Sequence, residues 1–198
     1  MTVASPRTAR RLQRLRCLSL IAAVLVVAGG LAVVAARVAD LWVNNTASMP
    51  EGLYRLTRLA GRTVARGTVV AVCPPSRVIA FATARRYLGP GRCPGNVEPL
   101  LKHVAAFAGD RVDVSEDGIR VNGTLLANSG RFAHDCAGRA LQRIPAGSYT
   151  IAPHRVWLYA PVGRSWDSRY YGAVPDAGIL GIAQPVLIFG IGNATCAS

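Results

Sequence analysis

The longest apolar stretch of the chain comes early. Residues 17–36 (CLSLIAAVLVVAGGLAVVAA) are uncharged and mostly apolar. About 20 residues of helix span the hydrocarbon core of a bilayer, so this stretch predicts one N-terminal transmembrane helix. A cleaved signal peptide would have an apolar region of roughly 7–15 residues and a small residue just before the cut. Here the run is longer and Arg37-Val38-Ala39 follows, with arginine where the small residue is wanted. A retained anchor is the expectation.

Beyond the anchor the apolar runs shorten and alternate. Asn44-Asn45-Thr46-Ala47-Ser48-Met49-Pro50-Glu51-Gly52 reads as an exposed turn entering a strand at 53–56. Residues 68–72, apolar and β-branched, predict a buried strand that Pro74-Pro75 ends. Residues 81–87 suit a short helix, and 89–95 are rich in glycine and proline, as loops are. Along 100–106 a period of two places Leu100, Lys102 and Val104 on one face of a strand. Strands at 111–114 and 119–121 follow, and Asn122-Gly123 before Thr124-Leu125 is a strong hairpin signal. Residues 128–142 read as a polar surface loop, 144–151 and 155–159 as strands, and 179–191 as apolar runs broken by Gly181, Pro185 and Gly190. The chain is therefore expected to be mainly β with little helix outside the anchor. Its expected organisation is a basic tail (1–16), an anchor (17–37) and an extramembrane domain (38–198), with Trp42 at the interface.

Charge adds an orientation. Five arginines (7, 10, 11, 14 and 16) precede the apolar run with no acid among them, and Arg37 alone stands just after it. That bias places the N-terminus in the cytoplasm and the domain beyond the membrane. The net charge of +13 would ordinarily suggest nucleic acid as a partner. From residue 41 onward, however, the 17 basic and 9 acidic residues that leave +8 are dispersed rather than gathered into a stripe with aromatics. No nucleic acid is expected.

The same topology puts Cys73, Cys93, Cys136 and Cys196 in an oxidising compartment, where four cysteines allow three pairings. Cys73–Cys93, closing off the loop between them, is the favoured pair, with Cys136–Cys196 as the second. No CxxC or Cys/His spacing supports a metal site, and no cofactor is expected.

Lys102 is the single lysine among 23 basic residues; the rest are arginine. Arginine keeps its proton in a protein, whereas a lysine desolvated among apolar neighbours can give it up. Lys102, set among leucine, valine and alanine, suits a general base made from an amine. An ordinary lysine snorkelling beside a core strand has the same spacing. Ser48, on a turn close behind the anchor, is a weak nucleophile that needs such a base within hydrogen-bond reach.

Taken in order, Ser48-Met-Pro, Lys102 followed by Gly109-Asp110, and Ser165-Trp-Asp167-Ser-Arg169-Tyr-Tyr-Gly172 resemble the type I signal peptidase family. Finer details are similar to its TraF-type branch, the peptidases of conjugative plasmid transfer. These are Ser-Met-Pro-Glu-Gly-Leu-Tyr, Cys73-Pro-Pro, Cys93-Pro-Gly, Leu-Leu-Lys102-His-Val and Gly118-Ile-Arg-Val-Asn-Gly. The resemblance implies a signal-peptidase-type β-rich catalytic domain and a Ser-Lys dyad, with Ser48 as nucleophile and Lys102 as base. It implies that the Ser48 backbone N–H and the Thr46 hydroxyl serve the oxyanion. Ser165 would orient the amine, and Asp167 and Arg169 would form a supporting ion pair, with Asp167 itself implicated in activity. Two departures stand out. Ala160-Pro-Val-Gly-Arg164 replaces the usual Gly-Asp-Asn, and His103 stands where arginine is usual. His103, His134 and His154 read as surface or strand residues.

The implied protein is an endopeptidase of the inner membrane, anchored by one span. Its catalytic domain lies in the periplasm or outside the cell, and it cleaves a pilin or other exported precursor. In this branch the new N-terminus of the substrate can also attack the acyl-enzyme and close the subunit into a ring. A general type I signal peptidase, a non-enzymatic component of the conjugative apparatus and a basic DNA-handling protein are the competing readings.

Overall fold

A computed structural model describes residues 6–38 and 40–190. The chain divides into two units, Met1–Leu41 and Trp42–Ser198. The first contains one helix, α1 (Pro6–Val38), in which Leu18–Ala35 is long and apolar enough to cross a membrane. None of that span is buried, so an apolar surface is presented all round, which suits lipid better than water.

Strands dominate the rest. In chain order they are β1 (Leu41–Asn44), β2 (Glu51–Thr57), β3 (Val69–Val72), β4 (Pro90–Cys93), β5 (Leu100–Ala106), β6 (Arg111–Val114), β7 (Ile119–Val121), β8 (Thr124–Leu125), β9 (Gly147–Thr150), β10 (Arg155–Tyr159), β11 (Val174–Pro175) and β12 (Ile179–Gly190). Helix α2 (Ser76–Ala84) follows β3, and a single turn, α3 (Ser168–Tyr171), follows β10. One sheet runs β1-β2-β12-β3-β5-β10-β11 and a second runs β8-β7-β6-β9. The domain is mainly β, as its short alternating runs imply.

The apolar runs sit at the centre of the larger sheet. Val70, Ala71 and Val72 of β3 are fully buried, and β5 pairs antiparallel with β3 on one side and β10 on the other. In the smaller sheet, Asn122 and Gly123 both take positive φ (49° and 85°), the backbone a two-residue β-hairpin needs.

Three local expectations shift. The helix expected at 81–87 runs Ser76–Ala84 instead. Pro75, at φ −65°, sets the helical entry directly, and Arg86 at φ 59° stops it. The broken C-terminal pattern is one twelve-residue strand, β12, with register shifts at Ile179/Gly181, Pro185/Leu187 and Ile188/Gly190. Gly181 permits this course, because a Cβ there would lie 2.6 Å from the Thr57 carbonyl oxygen. The loop 128–142 is more than surface, since Ser129 is buried and donates to the Leu126 carbonyl.

Cys73 and Cys93 form a disulfide that ties the end of β3 to β4, with Cα atoms 5.5 Å apart. The expected Cys136–Cys196 pair lies outside the described residues, because Cys196 does.

Candidate active site

Ser48 lies in the short connection between β1 and β2, a polar turn closed by Pro50. Its neighbour Met49 is buried against Tyr54, Leu56, Ala71 and Leu101, which pins the turn to the larger sheet. The Tyr54 hydroxyl donates to the Pro50 carbonyl at 2.7 Å. Thr46 does not present a free proton to the site. Its hydroxyl donates to Asn44 Oδ1 at 2.7 Å, and a hydroxyl has only one proton to give.

Lys102 sits in the middle of β5, opposite Val70 of β3. It is only 2% exposed, and its Nζ lies 2.7 Å from Ser48 Oγ. Burial in this apolar surround lowers the ammonium pKa from 10.5 to about 8. The Asp167 charge opposes that fall and the Arg169 charge adds to it. The amine is thus poised to accept a proton from the hydroxyl beside it.

Asp167 and Arg169 form a fully buried pair. Arg169 Nε donates to Asp167 Oδ1 and an Nη to Oδ2, both at 2.8 Å. The other carboxylate partners are the backbone N–H groups of Ala160 and Arg169. Both oxygens are therefore committed to Arg169 and the backbone, and among the described residues Lys102 makes no ion pair within 4.0 Å. The guanidinium also gathers the carbonyls of Asn128, Gly130, Val162, Gly163 and Ser165 at 2.8–3.2 Å. It joins the loop after β8 to the loop after β10. Ser165 is buried, and among the described residues its Oγ has no hydrogen-bond partner.

Residues 13–188 match the family described as signal peptidase, peptidase S26. The chain belongs to that family. It is 41% identical to the conjugal transfer protein TraF of Agrobacterium tumefaciens over 148 residues, 74% of this chain and 82% of the relative. It is 39% identical to an Escherichia coli plasmid transfer protein TraF over 155 residues, 77% of this chain and 86% of that protein. A solved signal peptidase I from Enterococcus faecalis superposes with a TM-score of 0.36 at 19% identity, over 61% of this chain and 97% of the other. That last likeness is too loose to carry detail.

In this S26 family member, Ser48, Lys102 and Ser165 line one cleft of about 350 Å³. Its lining is largely apolar and aromatic, with Trp42, Leu100, Leu101, Tyr87 and Trp166, and carries the charged Glu98, Asp135, Arg139 and Arg164. Phe132, His134 and Leu141 of the 128–142 loop also line it. Among the described residues no group of three His, Cys, Asp or Glu is placed to hold a metal ion. His103 Nδ1 lies 2.8 Å from the Gly67 carbonyl, and His154 is 3.8 Å from Asp176, both away from the cleft.

Two parts of the S26 site escaped the sequence reading. One is Asn44, whose buried amide contacts both flanks of Ser48. An asparagine ahead of a turn was a usable signal, because its side chain commonly bonds to nearby backbone. The other is Asp135, which accepts from the Tyr87 hydroxyl and from Arg139 and so pins the loop wall of the cleft. Nothing local marks it.

Proposed function

We propose that this protein is a membrane-anchored serine endopeptidase that cleaves an exported pilin precursor for conjugative transfer, using Ser48 and Lys102 as a dyad. The 2.7 Å separation of Lys102 Nζ from Ser48 Oγ, in a buried site, carries the reading. Membership of the S26 family supports the peptide chemistry, and the names of the TraF relatives support the role in transfer. The apolar helix serves as the anchor, with the arginine-rich tail in the cytoplasm and the catalytic domain in the periplasm.

In the first step neutral Lys102 takes the proton of Ser48 Oγ as that oxygen attacks the scissile carbonyl carbon. The carbonyl oxygen becomes an oxyanion, received by the Ser48 backbone N–H. For Thr46 to add its hydroxyl, it must first turn from Asn44. Loss of one oxyanion donor costs about 2.7–4 kcal/mol in comparable sites. The intermediate collapses, the C–N bond breaks, and the Lys102 ammonium returns its proton to the leaving amine. A water molecule, deprotonated by Lys102, then frees the acyl group. Attack by an amine of the substrate itself would instead close a ring. Asp167 and Arg169 tie the loop after β8 to the loop after β10, whose strand pairs with the one that carries Lys102. The Ser165 hydroxyl lines the same cleft and would have to turn toward the amine to orient it.

The test is the intact mass of a candidate pilin subunit co-expressed with wild-type protein or Ser48→Ala. Shortening by the wild type alone supports the reading, and a further loss of one water would reveal cyclisation. Equal processing by the variant would refute Ser48 as nucleophile. Equal processing of unrelated secreted precursors would make the enzyme a general signal peptidase.

A further inference from the structure

A single buried side chain braces both flanks of Ser48. Asn44, the last residue of β1, is 4% exposed. Its Nδ2 donates to the carbonyls of Thr46 (3.2 Å), Met49 (3.2 Å) and Pro50 (3.0 Å). Its Oδ1 accepts from the Thr46 backbone N–H (3.2 Å) and from the Thr46 hydroxyl (2.7 Å). The orientation of the amide is dictated by these partners: three acceptors face the NH2 group and two donors face the oxygen. Both ends of the amide are saturated. The contacts fall two residues before the serine and one and two residues after it, so Ser48 is suspended across a clamp. Asn44 and Thr46 both line the cleft, but none of these bonds is made to Ser48 Oγ or Lys102 Nζ.

We propose that Asn44 is a positioning residue for the Ser48–Lys102 dyad, setting the approach of Ser48 Oγ to the amine by clamping residues 46 and 49–50. This rests on the peptidase reading above. The sheet supplies the position of Lys102, because β5 is held on both sides by β3 and β10. The turn carrying Ser48 has no such ladder. Its shape depends on Asn44, with Tyr54 bonding to Pro50 and Met49 seated in the core. Asn44 also holds the Thr46 proton, so it governs when that hydroxyl is free to turn toward the cleft. Asparagine is the side chain that meets these demands. Aspartate would set a carboxylate oxygen against three carbonyl oxygens, and alanine would release all of them.

The experiment is steady-state kinetics of the full chain in detergent micelles on an internally quenched peptide that the wild type cleaves. Asn44→Ala and Asn44→Asp are measured beside Ser48→Ala and Lys102→Met, with rates expressed per folded molecule from near-UV circular dichroism. Displacement of a reacting group by about 1 Å can cost on the order of 10²-fold in rate. Asn44→Ala is therefore expected to lower kcat by about that factor with KM changed less than about threefold. Asn44→Asp keeps the shape and the acceptor for Thr46, and replaces the Nδ2 donors by a carboxylate oxygen facing the three carbonyls. It is expected to lower kcat by roughly tenfold or more, and it decides the matter if Asn44→Ala does not fold. A fall in melting temperature with kcat per folded molecule unchanged would make Asn44 merely structural and overturn the proposal. If Ser48→Ala or Lys102→Met retains full activity, the dyad reading falls, and the proposal falls with it. If both abolish cleavage and the Asn44 variants do not slow it, the dyad stands and the clamp alone is refuted.

Discussion

The state of Lys102 gives the sharpest test, because one buried amine controls two independent observables. Burial lowers its pKa from 10.5 to about 8. At pH 7 about a tenth of such an amine is neutral, against roughly one part in three thousand for an ordinary lysine. If Lys102 is the base, kcat/KM is expected to rise about tenfold per pH unit below pH 8 and to level off above it. The same shift bears on stability. The folded chain releases the proton near pH 8, while the unfolded chain holds it to about 10.5, so the unfolded state binds more protons between the two. Stability from this group is therefore expected to rise with pH across that window. Below pH 8 the folded state bears the full cost of a buried ammonium, about 3 kcal/mol for a shift of this size. Lys102→Met should abolish cleavage, remove that pH dependence and make the domain more stable at pH 7, by up to about 3 kcal/mol. The assays are a pH series of kcat/KM from 6 to 10 on a fluorogenic peptide, and urea unfolding of both proteins at pH 7 and pH 10. A flat pH profile, an activity limb near pH 10, or a Lys102→Met protein less stable than wild type at pH 7 would refute the reasoning.

Asp167→Asn leaves the Arg169 charge buried without its counter-ion, and removing one partner of a buried pair costs about 3–5 kcal/mol. A drop of roughly 6–20 °C in melting temperature is expected, and an unchanged melting temperature with lost cleavage would instead give Asp167 a direct catalytic part. Ser165→Ala should leave stability at wild-type level, because the buried hydroxyl has no partner to lose; a loss of more than about 1 kcal/mol in urea unfolding would mean that it is bonded. Replacing Cys73 and Cys93 by serine opens a crosslink spanning 20 positions, worth about 3 kcal/mol by loop-closure entropy, and calorimetry under non-reducing conditions measures it. Gly52→Ala should destabilise strongly or shift β2 against β12, since its Cβ would collide with the Leu187 carbonyl oxygen.

What the sequence determined on its own is what local physics decides. Twenty uncharged residues make a helix suited to lipid whatever lies beyond them, and Asn122-Gly123 closes a hairpin because those two residues accept positive φ. The solitary Lys102 in an apolar strand suited an amine base or a snorkelling side chain equally, and its pairing with Ser48 came from the resemblance carried by the ordered motifs. Tertiary structure decided the rest. Ser48 and Lys102 are 54 positions apart, and they meet because β5 occupies the centre of a sheet whose far strands carry the β1–β2 turn. That strand order also buries Lys102, which spacing alone could not separate from a snorkelling side chain. Arg169 reads locally as one half of an ion pair, yet it also gathers carbonyls from residues 128–130 and 162–165. Asn44 reads as one polar residue in a turn, and its saturation appears only once the turn has folded back over it. Periodicity and turn chemistry act within a few residues, whereas the convergence of side chains depends on strand order and register, which no short window of sequence contains.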